Sequence, residues 1–544
     1  MKKTSDIILG GVKTKLNIVF CIIFAIGAGF LVLYANNLLI QVINDYLLAQ
    51  NFDGFAFIMF MTIGAFVLVY GMNICLTYLW SKFQYDTLLR LTGHYITRLL
   101  RAKSSFFTNL PSADLFTKLY QSTYNTSYFV VSLLSAASHT ILFVFYGIII
   151  FRIDFLAGIF AVVAVPFYFF LTMTVGDKLS ELASEQMNKD GEISTLTQEA
   201  FESVNNIKAK GAYSFFTARP LAVLKEIKRI MMRTSVFEEY FSGITRLINL
   251  IVPILVIVAA IRFSSDFTAD AGVILVLYIN IPHFLNRFAL IFEQYLEYKT
   301  AKPFLAKLRE FNDVELESEK GLEIANFESL SAKGVKVEFS GGSVITVPDF
   351  EVKSGEKVMF FGESGIGKST IFNIIMGFNQ EYEGTVLVNG INLREISFAS
   401  LRKIFGITFQ NTSVITQDLR SNILLGADKS DKELERLLQL TSLENQYDAK
   451  SNDILNNKVL SGGEKSRVGL SQMLVLEPQI MLIDEAFSNM DEELESQIIN
   501  NLFKEYPKRA MICISHRNSS RPFFDRVVDF NTSHHFNRIL PKQF

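Results

Sequence analysis

The N-terminal part of the chain carries long, nearly uncharged apolar stretches, whereas the C-terminal part alternates short apolar runs with polar segments. A helix needs about 20 apolar residues to cross the hydrocarbon core of a membrane. Six stretches reach this length, at approximately 17 to 40, 55 to 80, 128 to 150, 154 to 176, 240 to 263 and 270 to 294. The pattern therefore predicts a membrane domain, residues 1–319, with six transmembrane helices.

The two long connections between these spans, residues 81–127 and 177–239, have mixed charge and apolar positions at helical spacing. This spacing predicts helices that extend beyond the membrane. Both connections are rich in Lys and Arg, while the loop from Gln41 to Gly54 has neither. Since basic loops stay in the cytoplasm, we expect a multi-pass protein of the cytoplasmic membrane with both termini in the cytoplasm.

After a charged boundary from Arg309 to Lys320, short apolar runs predict the strands of a second domain, residues 320–544. One run, Lys357 to Phe361, leads into a segment that fits the phosphate-loop pattern G-x-x-x-x-G-K-[ST]. Its glycines let backbone N–H groups turn toward phosphates at a helix N-terminus. The predicted ATP-binding residues here are Gly362, Glu363, Ser364, Gly365, Ile366, Gly367, Lys368, Ser369 and Thr370.

Composition agrees with an apolar membrane part joined to an ordinary α/β domain. Hydrophobic residues make up 50% of the 544 residues and charged residues 19%, and the formal net charge is −2. A nearly neutral chain gives no reason to expect a nucleic-acid partner. The three cysteines are odd in number and far apart, so no disulfide framework is predicted.

Five further motifs follow the phosphate loop: Gln410 in Ile-Thr-Phe-Gln, Leu460-Ser-Gly-Gly-Glu464, Ile480-Met-Leu-Ile-Asp484-Glu485, Ser488 to Asp491, and His516. In this order they resemble the Q-loop, signature, Walker B segment, D-loop and switch histidine of ATP-binding cassette (ABC) exporters. The resemblance covers nearly the whole chain. It implies a half-transporter, with a membrane α-helical domain of the exporter type followed by an α/β P-loop NTPase cassette.

The resemblance also implies roles in ATP hydrolysis. Glu485 is expected to polarise the attacking water as general base, with Lys368 and His516 as the other catalytic residues at the γ-phosphate. Mg²⁺ is expected to be held by Ser369, Gln410 and Asp484, and Gln410 also to contact ATP. Phe339 is a candidate to stack on adenine, although Gly341 stands where an aromatic residue is expected and strand core is the alternative. The stretch Asn452 to Lys458 lacks the loop that exporters place before the signature.

The signature residues Ser461, Gly462, Gly463 and Glu464 open a predicted helix whose positive end suits a γ-phosphate. In the family that phosphate belongs to a second subunit, so a dimer with two composite ATP sites is implied, with Ser488 and Asp491 in the D-loop. Because Glu485 and the signature are both intact, a homodimer is favoured, with a heterodimer as the alternative.

Polar residues also occur inside the predicted spans. Asn280, His283 and Arg287 lie on one face of the sixth span, and His139 in the third span can join them. Ionisable groups at such depth are costly unless they face a cavity or a partner. These four residues therefore predict either a substrate cavity or interhelical hydrogen bonds.

Segments 105–118 and 202–213 resemble the coupling segments of exporters, with ordinary helix packing as the alternative. The implied function is ATP-driven export by alternating access in a dimer. A small or modified antibacterial peptide is the favoured cargo. The alternatives are a multidrug or lipid exporter, one subunit of a heterodimeric transporter, and an ATP-gated channel or regulator that does not pump.

Overall fold

The computed structural model describes residues 12–50, 52–107, 112–263, 271–318, 320–339, 344–450 and 460–533. The chain forms two compact units, the first ending at Glu315 and the second beginning at Leu316. The first unit is helical and the second is α/β, so the predicted fold class is confirmed.

The described part of the membrane unit is built mainly of long helices. Its helices are α1 (Val12–Gln41), α2 (Phe55–Leu100), α3 (Ser112–Ile153), α4 (Phe155–Val163), α5 (Val165–Glu202), α6 (Val204–Lys210), α7 (Tyr213–Phe263) and α8 (Ala271–Asp313). A π-helical segment, Val42–Leu48, continues α1. The predicted helical extensions beyond the membrane are present, since α2, α3, α5 and α7 all run well past their apolar spans.

Five helices in the described part of the chain are individually long and apolar enough to cross a membrane. The fourth predicted span, 154–176, differs because it is divided between α4 and α5, which meet at Ala164. Asp154 caps α4 by accepting a hydrogen bond from the N–H of Ala157 at 2.6 Å, and Pro166 lies in the first turn of α5. The division follows from Pro166, which favours the first turn of a helix over its interior.

The membrane unit exposes many large apolar side chains, and small residues let some of its helices approach closely. Phe57 and Phe60 on α2 are 70% and 73% exposed, as expected of side chains that face lipid. Inside, a Cβ atom on Gly29 of α1 would lie 2.3 Å from the ring of Phe145 on α3. Helices in a membrane approach closely through such small residues.

The two segments with predicted coupling roles are partly described. A short helix, α6, occupies the middle of 202–213 and is capped at its C-terminus by Gly211, whose φ is +59°. In 105–118, a 3₁₀ turn (Ser104–Phe106) precedes α3, and residues 108–111 lie outside the described residues. Their role in coupling stays a prediction.

The second unit is built on two sheets. Its strands are β1 (Ser329–Glu338), β2 (Val344–Thr346), β3 (Phe350–Lys353), β4 (Lys357–Phe361), β5 (Glu383–Val388), β6 (Ile391–Asn392), β7 (Phe405–Thr408), β8 (Ile480–Asp484), β9 (Ala510–Ile514) and β10 (Arg526–Asp529). An antiparallel sheet has the order β2-β1-β5-β6, with β3 also paired to β1, and a parallel sheet has the order β10-β4-β9-β8-β7.

Helices cover the parallel sheet. They are α9 (Lys368–Ile375), α10 (Phe398–Ile404), α11 (Leu419–Leu424), α12 (Asp431–Thr441), α13 (Glu444–Lys450), α14 (Gly462–Val475) and α15 (Glu492–Glu505). Every residue of β8 and β9 is buried, which explains their uninterrupted apolar sequences. Because the strands are parallel, their carboxyl ends lie along one edge, where ligands bind in such sheets.

Candidate active site

Four parallel strands place the predicted catalytic residues along one edge of the sheet. The phosphate loop follows β4, Gln410 lies two residues after β7, Asp484 ends β8, and His516 lies two residues after β9. Since β4, β9, β8 and β7 are neighbours in that order, residues far apart in the sequence meet at one edge.

The phosphate loop requires glycine at two positions for steric reasons. Gly365 and Gly367 have φ angles of +83° and +103°, which disfavour side chains. A Cβ atom on Gly367 would also lie 2.2 Å from Cγ2 of Ile345 on β2. Gly367 caps α9 without a side-chain hydrogen bond. The first N–H groups of α9 can therefore point toward an anion, as phosphate binding requires.

Lys368 lies inside this loop. Its side chain is buried, and Nζ donates hydrogen bonds to the carbonyl oxygens of Gly362 at 2.7 Å and Glu363 at 2.6 Å. Burial lowers the pKa of Lys368, and the nearby carboxylates of Glu485 and Asp484 oppose that shift. The loop therefore holds a cation at the end of β4, where it can meet phosphate charge.

Ser369 and Asp484 form an oxygen pair beside Lys368. The Ser369 hydroxyl donates to Oδ1 of Asp484 at 2.8 Å, and Asp484 is buried. Burial raises the pKa of Asp484, while the hydrogen bond from Ser369 lowers it. A hydroxyl and a carboxylate are hard oxygen donors, so this pair fits Mg²⁺.

Gln410 contacts the predicted general base. Its Nε2 donates to Oε2 of Glu485 at 2.9 Å. The structure thus brings Gln410 to the carboxylate of Glu485, and its predicted contact with Mg²⁺ stays a prediction.

The backbone fixes the position of Glu485. Its φ angle is +49°, and its N–H donates to the carbonyl of Ile514 on β9 at 3.2 Å. Its own carbonyl accepts bonds from the N–H of Ser488 at 3.1 Å and from the Ser488 hydroxyl at 2.7 Å. A left-handed residue with a side chain costs about 1–3 kcal/mol and is typical of functional positions.

Next to the exposed His516, an ion pair that the sequence analysis missed links the segment after β9 to helix α15. Arg517 donates to Oε2 of Glu495 at 2.7 Å and to the carbonyl of Ser488 at 2.8 Å. Glu495 is 2% exposed and also accepts a bond from Ser520. The sequence signal was present, because Glu495 lies on the apolar face of α15 with Ile498 and Leu502, and an acid there needs a partner.

The signature residues cap α14. Ser461 accepts a bond from the N–H of Glu464 at 3.2 Å, and the Glu464 carboxylate accepts one from the N–H of Ser461 at 2.7 Å. This reciprocal pair is a capping box. A Cβ atom on Gly462 would lie 3.3 Å from Cγ of Asn489, and one on Gly463 would lie 2.9 Å from its carbonyl oxygen. The signature thus packs against the D-loop of its own chain.

The D-loop ends where Asp491 caps α15, accepting a bond from the N–H of Leu494 at 2.8 Å. Phe339 follows β1 and is 41% exposed, so it is not strand core, and its contact with adenine stays a prediction. Gly341 and the stretch from Asn452 to Lys458 lie outside the described residues.

The four polar residues predicted for a substrate cavity contact other helices of the membrane unit. Asn280 is fully buried and donates to Oδ1 of Asn36 on α1 at 2.7 Å. Arg287 lies 3.3 Å from Nδ1 of His139, and His283 stacks on Tyr146 of α3 with ring centroids 5.3 Å apart. Each of these contacts joins two helices, as the alternative of interhelical contacts predicts.

Known proteins resemble both units. A family model described as the ABC transporter transmembrane region matches residues 18–288, and one described as ABC transporter matches residues 345–488. The two matches together cover most of the chain.

Individual relatives match at low identity. A Rickettsia prowazekii protein named as an export ATP-binding/permease protein is 30% identical over 215 residues, 37% of each chain. The chain thus matches little more than a third of that relative's length. An ATP-dependent lipid A-core flippase of Syntrophus aciditrophicus is 23% identical over 80% of this chain and 75% of its own.

One solved structure shares the fold across nearly the full length. It is described as a bacterial Atm1-family ABC exporter with ATP bound. The TM-score is 0.83 at 18% identity, and the match covers 94% of this chain and 92% of that one.

Proposed function

The chain belongs to the ATP-binding cassette transporters, and on that premise we propose that it is one half of a dimeric, ATP-driven exporter. The proposal places it in a cytoplasmic membrane, with the cassette and both termini on the cytoplasmic side. Its long connections are rich in Lys and Arg and its short loop from Gln41 to Gly54 has neither, which supports this orientation.

One observation carries the proposal. Lys368, the Ser369–Asp484 pair and the Gln410–Glu485 pair come together at the ends of neighbouring strands. The described part of the same chain has five helices long and apolar enough to cross a membrane. A cation, a metal-binding oxygen pair and a held carboxylate are the groups that phosphoryl transfer to water needs.

These residues divide the work as follows. The N–H groups at the start of α9 and the Lys368 ammonium would bind the β- and γ-phosphates of ATP. Ser369 and Asp484 would hold Mg²⁺, which supplies positive charge against the phosphate oxygens when bound. Glu485 would orient and deprotonate the attacking water, and Gln410 would keep its carboxylate in place. His516 would contact the γ-phosphate.

A second copy of the chain would complete each site. The signature helix α14 has its N-terminus capped by Ser461, and its positive end would face the γ-phosphate on the partner chain. Because one chain contains both Glu485 and the signature, two identical chains would form two equivalent sites. A heterodimer with a related chain is the alternative arrangement.

Closure of two cassettes on ATP would switch the membrane helices from a cytoplasm-facing to an outward-facing state, and hydrolysis would reset them. One relative is named as a lipid A-core flippase, which supports an amphiphilic cargo. A small peptide is one such cargo and stays our prediction from the sequence.

Transport by the purified protein in proteoliposomes tests the proposal. With cassettes facing outward, added ATP should drive uptake of an amphiphilic cargo, and Glu485→Gln vesicles should show none. ATP hydrolysis without net uptake of any cargo would instead indicate a channel or a regulator.

A further inference from the structure

A cavity of about 530 Å³ lies within the membrane unit among α3, α5, α7 and α8. Its lining residues lie at the ends of the predicted spans or just beyond them, all toward the same end of the helices. For example, Gln121 and Asn125 precede the third span, and Thr300 and Phe304 follow the sixth. Under the proposed orientation the cavity lies at the cytoplasmic mouth of the membrane domain. None of His139, Asn280, His283 and Arg287 lines it.

The charge of the cavity wall is entirely negative. Asp190 on α5, Glu238 on α7, and Glu293 and Glu297 on α8 line it, and its described lining includes no Lys, Arg or His. The neighbouring Lys189 pairs with Glu192 and Glu226 instead, at 3.1 Å and 2.6 Å. The four carboxyl groups therefore face an open volume without a basic residue among them.

Hydrogen bonds within the protein satisfy the polar groups of the cavity wall only in part. Nε2 of Gln121 donates to Asp190 at 2.8 Å, but Oε1 of Gln121 is buried and has no hydrogen-bond partner among the described residues. Oε1 is thus an acceptor left for an N–H donor. Burial raises the pKa of Glu297 to about 7, and the charges of Glu293 and Glu238 add to this shift. A cation in the cavity would relieve this repulsion.

The rest of the wall is apolar. Leu179, Met187, Phe241 and Phe304 line the same volume, and the volume is within the range of small-molecule sites. Aromatic faces also attract organic cations. A small inorganic cation would leave these apolar surfaces unused.

We propose that this cavity is the cytoplasmic entry site for cargo and that it selects organic cations with apolar groups, such as amphiphilic amines or basic peptides. The proposal rests on the proposed function and narrows its cargo to one charge class. This charge preference is opposite to that of the polar face around Arg287 in the sixth span, whose basic groups would suit an anionic cargo.

Two probes of nearly equal size and opposite charge test this inference. Binding of radiolabelled tetraphenylphosphonium and tetraphenylborate would be measured without ATP on the full-length protein in phosphatidylcholine nanodiscs, with empty discs as background. The test variant is the double change Glu238→Gln and Glu297→Gln. The control is Glu185→Gln, an exposed acid on α5 outside the cavity wall.

We expect the wild type to bind the cation at least about tenfold more tightly than the anion, which corresponds to about 1.4 kcal/mol of binding free energy. The carboxylates of the wall attract the cation and repel the anion. The double variant should lose about tenfold in cation binding, and Glu185→Gln should lose none. ATP binding by all three proteins should be equal, which would show that the double variant is folded.

Equal affinity of the wild type for both probes would overturn the inference, and so would unchanged cation binding by the double variant. Absence of probe binding to the dimer would overturn it too, because a partner chain would then fill the cavity. The outcome is separable from that of the proposed function: charge-selective binding needs no ATP, whereas the transport assay depends on Glu485.

Discussion

The two units place their functional groups in different ways. In the cassette, the ends of neighbouring strands hold Lys368, Asp484 and Glu485, so the backbone decides where each side chain lies. In the membrane unit, Asp190, Glu238 and Glu297 come from three helices of 38 to 51 residues that meet only by packing. Chemistry that depends on a fixed turn leaves a local motif in the sequence, whereas a cavity between long helices leaves none.

The units also treat buried polar groups differently. In the cassette, the buried charge of Glu495 has a full ion pair and a further hydrogen bond. In the membrane unit, buried Asn280 bonds Asn36 while its own Oδ1 stays unpaired among the described residues. The comparison predicts that single substitutions in the cassette have large effects and that those in the membrane unit have smaller, graded ones.

The largest expected effect is at Glu485. Glu485→Gln keeps the side-chain length and removes the base, so ATP hydrolysis should fall about 10²- to 10⁴-fold while ATP binding remains. Steady-state ATPase rates and equilibrium binding of a fluorescent ATP analogue would measure the two properties.

Glu493→Gln is the matched control, since Glu493 is an exposed acid on the nearby helix α15. It should leave both hydrolysis and binding unchanged. If Glu485→Gln hydrolysed ATP at the wild-type rate, Glu485 would not be the general base. Its position at the end of β8 would then be insufficient to identify that residue.

The second expected effect is on stability. Arg517→Met leaves the carboxylate of Glu495 buried without its partner, which should cost about 3 kcal/mol. It also removes the bond to the Ser488 carbonyl, so hydrolysis should fall as well. Hydrogen exchange of the amides around Ile498 and Leu502 in the full-length protein would report the loss.

Arg420→Met provides the contrast, because Arg420 pairs with Asp431 at the surface, where their side chains are 40% and 81% exposed. It should cost less than about 1 kcal/mol. Similar exchange rates for the two variants would mean that the Arg517 pair contributes no more than a surface pair.

Much of the cassette could be predicted from the sequence. The phosphate loop, Gln410 and the Asp484–Glu485 pair are short motifs tied to strand ends, and the structure brings them to one edge. The Arg517–Glu495 pair could not be found as a motif, because its members lie on different elements and only the acid on an apolar helix face hints at it.

Less of the membrane unit followed from its sequence. Apolar length gave the spans, but it could not show that α4 and α5 divide the fourth one at Ala164. Helical spacing placed Asn280, His283 and Arg287 on one face, but spacing does not tell whether a face meets a cavity or a neighbouring helix. Of the acidic residues of the cavity, Asp190, Glu238 and Glu297 lie outside the predicted spans, where charged residues are common, and Glu293 lies at the very end of the sixth span.

A smaller effect is expected for the buried pair of the membrane unit. Asn280→Leu removes the hydrogen bond to Asn36, and such bonds contribute about 0.6–2 kcal/mol between membrane helices. A double-mutant cycle with Asn36→Leu, measured by unfolding in mixed SDS micelles, would give the coupling energy.

Asn73→Leu is the control for this cycle, because the side chain of Asn73 bonds the carbonyl of Val69 on its own helix. It should show no coupling to Asn36. A coupling energy between Asn36 and Asn280 above about 3 kcal/mol would contradict the contrast between the two units.

The smallest expected effect is a pH dependence of the cavity. Glu297 lies beyond the span that ends at Ile291, and its pKa of about 7 lies above the ordinary value of 4.5. The groups that face it are Glu293 on its own helix, Glu238 on α7 and Tyr128 on α3, with Asp190 across the cavity.

A raised carboxyl pKa means that the folded state holds a proton which the unfolded state has lost. The resulting stability is complete below about pH 4.5 and is lost as pH rises through about 7. Over the same range the cavity gains negative charge, so cation binding should strengthen a few-fold between pH 6 and 8. Both trends should be absent in Glu297→Gln, and an unchanged slope in that variant would assign the titration to another group.

The left-handed backbone at Glu485 has a consequence for laboratory evolution. Glycine is the residue that this conformation favours, so Glu485→Gly should be neutral or favourable for the fold while abolishing turnover. A library selected only for expression or heat resistance would drift toward glycine at this codon. Retention of glutamate at this position in such a library would therefore require a screen for ATP hydrolysis or ATP-driven transport.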